Sequence, residues 1–279
     1  MGCSSCKRIS GLVFLILLSV ALWGCNTANP RPDQNGGITP PSQASNYSLV
    51  FADNFDSLAL SPTGTGAFTW YNGLWWQPPA PASNITVANG ILTLAWTRSQ
   101  SPNDTSITTL SRDAHYYHAW RYGYFEVRMR WDAVRGAWPA IWLLPVQAAN
   151  TGAGDSGELD IFEGQGSTPN FFYGTIHEWK QRREVRNNKG SNVFQLPASV
   201  DLSQFHIYGA MWIPGKVTWY FDNNPLFSAA TYPVFDTQNY YLIAGSQEGV
   251  SWNYGDMTGV SASRINVDVD WVRVWQKQP

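Results

Sequence analysis

The chain has 279 residues, of which 44% are hydrophobic and 14% charged, with a formal net charge of −2. That is enough apolar mass for one large β domain or two small ones, and the near-neutral balance excludes the basic stripe of a nucleic-acid footprint. All three cysteines (Cys3, Cys6 and Cys25) precede residue 26, so the remainder carries neither a disulfide nor a cysteine metal site.

Lys7 and Arg8 come before an apolar run from Gly11 to Trp23. The run is too short to span a hydrocarbon layer of about 30 Å comfortably. It has the layout of a secretory signal peptide. Its end, Leu22-Trp23-Gly24-Cys25, resembles a bacterial lipobox. That resemblance implies removal of residues 1–24, acylation of Cys25, and an exported lipoprotein held at a membrane. An ordinary signal peptide or an uncleaved anchor is the plainer alternative. Residues 25–46 are rich in Pro, Asn, Gly and Ser, with no apolar period. They read as a flexible tether, and the folded domain is expected over residues 47–279.

From Tyr47 onward no segment has a long 3.6-residue apolar period. Short β-rich runs separated by turn residues take its place: Ser48–Phe51, Gly90–Trp96, Tyr122–Trp131, Ala140–Leu144, Glu158–Glu163, Phe171–Glu178, Phe205–Trp212, Lys216–Phe221, Tyr240–Gly245 and Val267–Gln276. In Tyr122–Trp131, Phe125, Val127 and Met129 face one way and Glu126, Arg128 and Arg130 the other. In the last run, strict alternation puts Val267, Val269, Trp271, Arg273 and Trp275 on one face, and Asp268, Asp270, Val272 and Val274 on the other. This many short strands without intervening amphipathic helices predict an all-β sandwich or barrel. The 15 Trp and 13 Tyr exceed the usual demand of a core. Such rings suit the apolar C–H faces of sugars.

Gly157-Glu-Leu-Asp-Ile-Phe-Glu-Gly164 holds three acids in six residues. On a regular strand Glu158 and Asp160 share a face and Glu163 points away. For all three to serve one cleft, the strand must carry an extra residue between Asp160 and Glu163, a β-bulge. Two carboxyls flanking a glycosidic bond are the machinery of glycoside hydrolysis. A retaining enzyme needs them about 5–5.5 Å apart. Four effective strand steps separate the two Glu Cα atoms by roughly 13 Å, so the side chains must lean together. Asp160 between them would accept a hydrogen bond and help hold the two pKa values apart. A solvated acidic face fits poorly, because the three charges repel. A calcium site needs more oxygens than one strand supplies.

This run resembles the signature of glycoside hydrolase family 16 in its six-residue bulged form, as in laminarinase-like and agarase-like members. Tyr122–Arg130, Trp138-Pro-Ala-Ile-Trp142, Gly174-Thr-Ile-His177 and Val269–Trp275 resemble the family's neighbouring segments in order. The resemblance implies a β-jelly roll of two curved antiparallel sheets with a concave substrate cleft. It implies Glu158 as nucleophile, Glu163 as general acid/base and Asp160 as assisting acid, with no cofactor in catalysis. The partner would be a polysaccharide, most simply a β-1,3-glucan, cut by a monomer. It also implies substrate contacts for Trp138, Trp142, His177 and Trp252. For both Trp138 and Trp142 the alternative is core packing; for His177 it is a satisfied structural histidine. Trp75 and Trp76 are adjacent, so one is expected to pack and the other to meet substrate. Glu178 reads as an exposed ion-pair partner, and Lys180–Lys189 as a solvated basic loop. Many relatives hold a structural calcium, for which Gly90 and Asp270 are the matching positions; Asp270 is equally open to a salt bridge. Three functions stay open: an endo-β-glycanase, a transglycosylase or hydrolase remodelling another polymer (a galactan, an agar-type chain or the cell's own exopolysaccharide), and a non-catalytic carbohydrate-binding jelly roll.

Overall fold

The longer strands follow from apolar residues at alternate positions, which commit one face to a core. The computed structural model describes residues 38–98, 104–151, 155–189, 192–248 and 262–277. In chain order its strands are β1 (Tyr47–Asp53), β2 (Tyr71–Asn72), β3 (Ile85–Ala88), β4 (Ile91–Thr97), β5 (Asp104–Thr108), β6 (Ala119–Trp120), β7 (Gly123–Trp131), β8 (Ala137–Pro145), β9 (Ser156–Glu163), β10 (Phe171–Tyr173), β11 (Ile176–Lys180), β12 (Arg183–Asn187), β13 (Val193–Gln195), β14 (His206–Ile213), β15 (Lys216–Phe221), β16 (Asn224–Ala230), β17 (Tyr240–Glu248) and β18 (Arg264–Lys277). A single α-helix among the described residues, α1 (Val146–Thr151), follows β8.

They form two antiparallel sheets, a jelly-roll-like sandwich as expected. The first runs β16-β15-β14-β7-β18-β4-β3, with β1 also on β18. The second, which carries the acidic run, is ordered β12-β11-β9-β8-β17-β5-β2, with β6, β10 and β13 at its margins. The main core lies between them. Phe125, Val127 and Met129 enter it from the first sheet, and Ile141, Leu143, Leu159, Ile161 and Leu242 from the second. Burying a side chain of this kind contributes about 1.5–3 kcal/mol. The aromatic surplus goes largely inward: Trp70, Trp96, Trp212, Trp219, Trp271 and Trp275 are fully buried, as are Tyr71, Tyr124, Tyr208, Tyr240 and Tyr241.

The structure corrects three details of the sequence reading. Phe171–Glu178 is two strands, split at Gly174-Thr175. The faces of β18 change phase midway. Val269 pairs with Met129 and Trp271 with Arg128, so Asp270 is an extra residue. Val267, Val269, Val272 and Val274 therefore all reach the core, against the strict alternation expected. The packed body also begins before Tyr47. Ala44 is buried against Tyr124, Met211 and Trp275, with Ile38 beside them. Gln43 Nε2 donates to Tyr124 Oη at 2.8 Å and to Asn223 Oδ1 at 3.0 Å. No helix among the described residues is long and apolar enough to cross a membrane. Cys25 lies outside the described residues.

Candidate active site

The acidic run is an interior strand of its sheet, β9, between β11 and β8, and it bulges where the sequence demanded. Against β8, Trp142 pairs with Asp160 and Ile141 with Phe162, leaving Ile161 as the extra residue. Leu159, Ile161 and Phe162 all point into the core. Phe162 packs on Tyr208 with ring centroids 4.2 Å apart. Glu158, Asp160 and Glu163 thereby share the outer face.

A bulge frees backbone groups that the ladder would otherwise pair, and buried ones need partners. The Asp160 amide donates to Thr175 O at 2.8 Å. The Asp160 carbonyl accepts from Trp219 Nε1 at 2.7 Å, an indole that crosses the core from β15. Gly174 makes room for this indole, because a Cβ there would sit 2.3 Å from Trp219 Nε1.

Each acid has its own donor. Trp179 Nε1 donates to Glu158 Oε2 at 2.8 Å, and Trp138 Nε1 to Glu163 Oε1 at 2.8 Å. His177, directly opposite Glu158 on β11, has Nε2 3.1 Å from Asp160 Oδ2. Its other nitrogen, Nδ1, meets Glu184 Oε1. Asn187 Nδ2 also donates to Glu184 Oε1, at 2.9 Å. Oxygens of Glu158 and Asp160 and a ring nitrogen of His177 fall within 4.8 Å of one another. Three such groups have the composition of a cation site. The imidazole itself lies between the carboxylates of Asp160 and Glu184.

The electrostatics follow from crowding. Burial first, then the charges of Asp160 and Glu163, push Glu158 up to about 8, opposed by His177 and the Trp179 donor. Burial alone would lower His177. Asp160, Glu158 and Glu184 outweigh it and hold the imidazole up at about 10. Burial would raise Glu184, but Asn187, His177 and Lys189 bring it below its ordinary value. Acids this close exchange protons as a set.

Of the other expected residues, Trp138 stands among the acids. Trp142 shares that face but is only 9% exposed, in a second apolar cluster with Leu74, Leu110, Ala140, Leu144, Val146, Tyr241 and Ile243. Trp75 packs against this cluster, while Trp76 is 45% exposed and meets Trp142 edge-on at 6.2 Å. Trp252 lies outside the described residues. Glu178 does pair with Arg186, but it is buried rather than exposed. The basic segment is the β11–β12 hairpin rather than a loop, turning at Gln181 and Arg182 with positive φ. Gly90 and Asn89 form the β3–β4 turn, with φ of 69° and 53°, the Asn-Gly signal of a tight hairpin. The Asp270 carboxylate pairs with Arg128. Trp179, Glu184, Asn187 and Trp219 were not singled out from sequence. Trp179 was legible, since it lies two residues beyond His177 and shares its face; Glu184 depends on hairpin register.

The profile of Glycosyl hydrolases family 16 matches residues 79–273. A β-glucanase of Rhodothermus marinus is 28% identical over 86% of this chain and 89% of its own length. The endo-1,3-1,4-β-glycanase EglC of Rhizobium meliloti is 29% identical, with 81% of this chain covering 51% of that protein. A keratan-sulfate endo-1,4-β-galactosidase of Sphingobacterium multivorum is 26% identical over 94% of this chain and 66% of its own. Among solved structures, the laminarinase catalytic domain of Thermotoga maritima superposes with a TM-score of 0.66 at 22% identity, over 84% of this chain and 100% of that domain.

Proposed function

Because this chain belongs to glycosyl hydrolase family 16 and is thus a glycosidase of O-glycosyl bonds, we propose that it is a retaining endo-hydrolase of a β-linked glucan, with β-1,3 linkages the first candidate. The observation that carries this reading is the bulge at Ile161. It puts Glu158 and Glu163 on one face with Asp160 between them, each with its own hydrogen-bond donor. The named activities of the Rhodothermus and Rhizobium relatives support a β-glucan.

In this reading Glu158 attacks the anomeric carbon while Glu163 protonates the departing oxygen. Glu163 then draws a proton from the water that releases the sugar from Glu158. Glu158 must be ionised to attack. Asp160 beside it accepts from His177 through Oδ2. The Trp179 donor favours an ionised Glu158, because a hydrogen bond to a carboxylate stabilises its charged form. Trp138 orients Glu163 and presents an indole face beside the reacting sugar. We place the enzyme at a bacterial membrane, tethered through an acylated Cys25, on the strength of the Leu22–Cys25 motif alone. Radiolabelled palmitate incorporation that survives Cys25→Ala would refute the tether.

Glu158→Gln should abolish turnover. Glu163→Gln should lose about 10²–10⁴-fold on polysaccharide but far less on an aryl glycoside, whose leaving group needs no proton. Wild-type turnover by Glu158→Gln, or initial release of the inverted anomer in NMR, would sink the mechanism. Initial rates on laminarin, lichenan, agarose, carrageenan and galactan identify the polymer. A galactan preference would favour the reading suggested by the Sphingobacterium relative.

A further inference from the structure

We propose that Glu184 is a positioning residue of this site: it holds the His177 ring as an imidazolium whose Nε2–H is committed to Asp160.

The proposal starts from register. Glu184 sits on the edge strand β12, six residues of chain beyond Glu178 and outside every motif of the sequence. In the hairpin, Asn187 pairs with His177 and Arg186 with Glu178, but Trp179 pairs with Glu184. Val185 is therefore an extra residue. A regular hairpin would put Val185 opposite Trp179 and turn Glu184 to the far face. The bulge exchanges the two. Val185 is left 47% exposed, an unfavourable place for an apolar β-branched side chain. Glu184 gains the face shared by His177 and the acids. Bulges are devices that re-aim a side chain, and this one aims a carboxylate at the catalytic histidine's free nitrogen.

Donor and acceptor accounting then fixes the charge. His177 Nε2 faces Asp160 Oδ2 at 3.1 Å, and Nδ1 faces Glu184 Oε1. Carboxylate oxygens only accept. A neutral imidazole has one N–H and can satisfy one of them; both are satisfied only when both nitrogens carry protons. Asn187 Nδ2 donates to the same Glu184 oxygen at 2.9 Å, fixing the carboxylate's rotamer from behind. Trp179 stacks beside the ring, centroids 5.8 Å apart and planes 24° apart. The charged groups facing His177 are Glu158 and Asp160 from β9 and Glu184 from β12, with Lys189 acting on Glu184. Glu178, next in sequence, is turned away and paired with Arg186.

The consequence for the reaction rests on the reading above. A cationic ring keeps Asp160 anchored by its Oδ2 beside Glu158. Glu184 acts through His177, its partner at Nδ1.

Glu184→Gln separates charge from shape, since its amide oxygen can still accept from Nδ1. In wild-type protein the His177 imidazole, followed by NMR with His177→Asn as the assignment control, should stay protonated through neutral pH. In Glu184→Gln its titration should move down by about 1–3 pH units, and kcat should begin to fall at correspondingly lower pH, with KM little changed. Glu184→Asp should recover part of the shift. An unchanged His177 titration in Glu184→Gln, or a neutral wild-type ring at pH 7, overturns the proposal. A moved titration with an unmoved kcat profile also overturns it, as Glu184 would then be a surface ion-pair partner and no more. The ring titration is read without substrate, so it stands or falls separately from the assignment of Glu158 as nucleophile.

Discussion

Trp219→Phe removes one hydrogen bond from the core and leaves most of the ring packing in place. The lost N–H is the donor to the Asp160 carbonyl at 2.7 Å, and that carbonyl is freed from the ladder by the bulge. A buried acceptor stripped of its partner costs about 1–3 kcal/mol. The smaller ring leaves a void of roughly methyl size, adding about 1 kcal/mol. Phe227, stacked on the indole with centroids 4.8 Å apart, limits further collapse. A total near 2–4 kcal/mol is a large share of the roughly 5–15 kcal/mol available to a domain. At about 2–4 °C per kcal/mol for a chain of this size, Tm should fall by some 5–15 °C. Activity should fall too, because the backbone that aims Asp160 has lost its tie to the opposite sheet. Urea titration of wild-type and variant protein gives the stability term, and kcat on the preferred glucan well below the new midpoint gives the other. An unchanged urea midpoint with full kcat would show that the bulge holds itself and that the cross-core indole is incidental.

Arg128→Met should lower the denaturant midpoint, because it removes an ion-pair partner of the buried Asp270 carboxylate; adding Asp270→Leu should recover most of the loss. A second expectation concerns pH. Burial pushes Glu126 from 4.5 up to about 7, against the Trp275 donor and the Arg273 charge. A carboxyl raised in the folded state stabilises the fold while protonated, and that contribution drains away as pH climbs from the unfolded value through the folded one, at up to about 1.4 kcal/mol per unit. The wild-type midpoint should therefore decline between about pH 5 and pH 7.5, and Glu126→Gln should flatten the decline; an equal slope in both proteins would assign it elsewhere.

The sandwich was legible because its strands are written in alternation, and the acid triplet because three carboxyls crowd into six residues. The bulge at Ile161 was legible for a different reason: chemistry required Glu158 and Glu163 on one face, and their spacing forbade it on a regular strand. The bulge at Asp270 had a signal as well. Val267 and Val269 are followed by Val272 and Val274, an apolar series that changes phase by one. Strict alternation read through that change and put Trp271 and Arg273 with the wrong partners. Glu184 had no signal of its own. Its face depends on where the hairpin turns and on an extra Val185, and neither is set by a residue type that announces it. Ile38 and Ala44 were read as tether from the Pro- and Ser-rich composition around them. Their docking depends on a shallow apolar patch made by Tyr124, Met211 and Trp275, on strands far away in the chain. Trp142 illustrates a limit of face arguments: it shares the face of the acids, as expected, yet the loop at Leu74–Trp76 covers it and leaves Trp76 as the exposed ring.

The extra residue in β9 also changes what a deletion means. In most strands, losing one residue inverts every side chain beyond it. Here the acids stand at 158, 160 and 163, so their parity is mixed and the bulge is what reconciles it. Without Ile161 the third acid would stand two steps from Asp160, and simple alternation would keep all three on the same face. What would be lost is the second inward side chain in succession. Ile161 and Phe162 together fill the core behind the site, and one of those places would empty. The irregularity thus serves two ends: it delivers Glu163 outward, and it packs one more apolar residue behind the carboxylates than an even strand could hold.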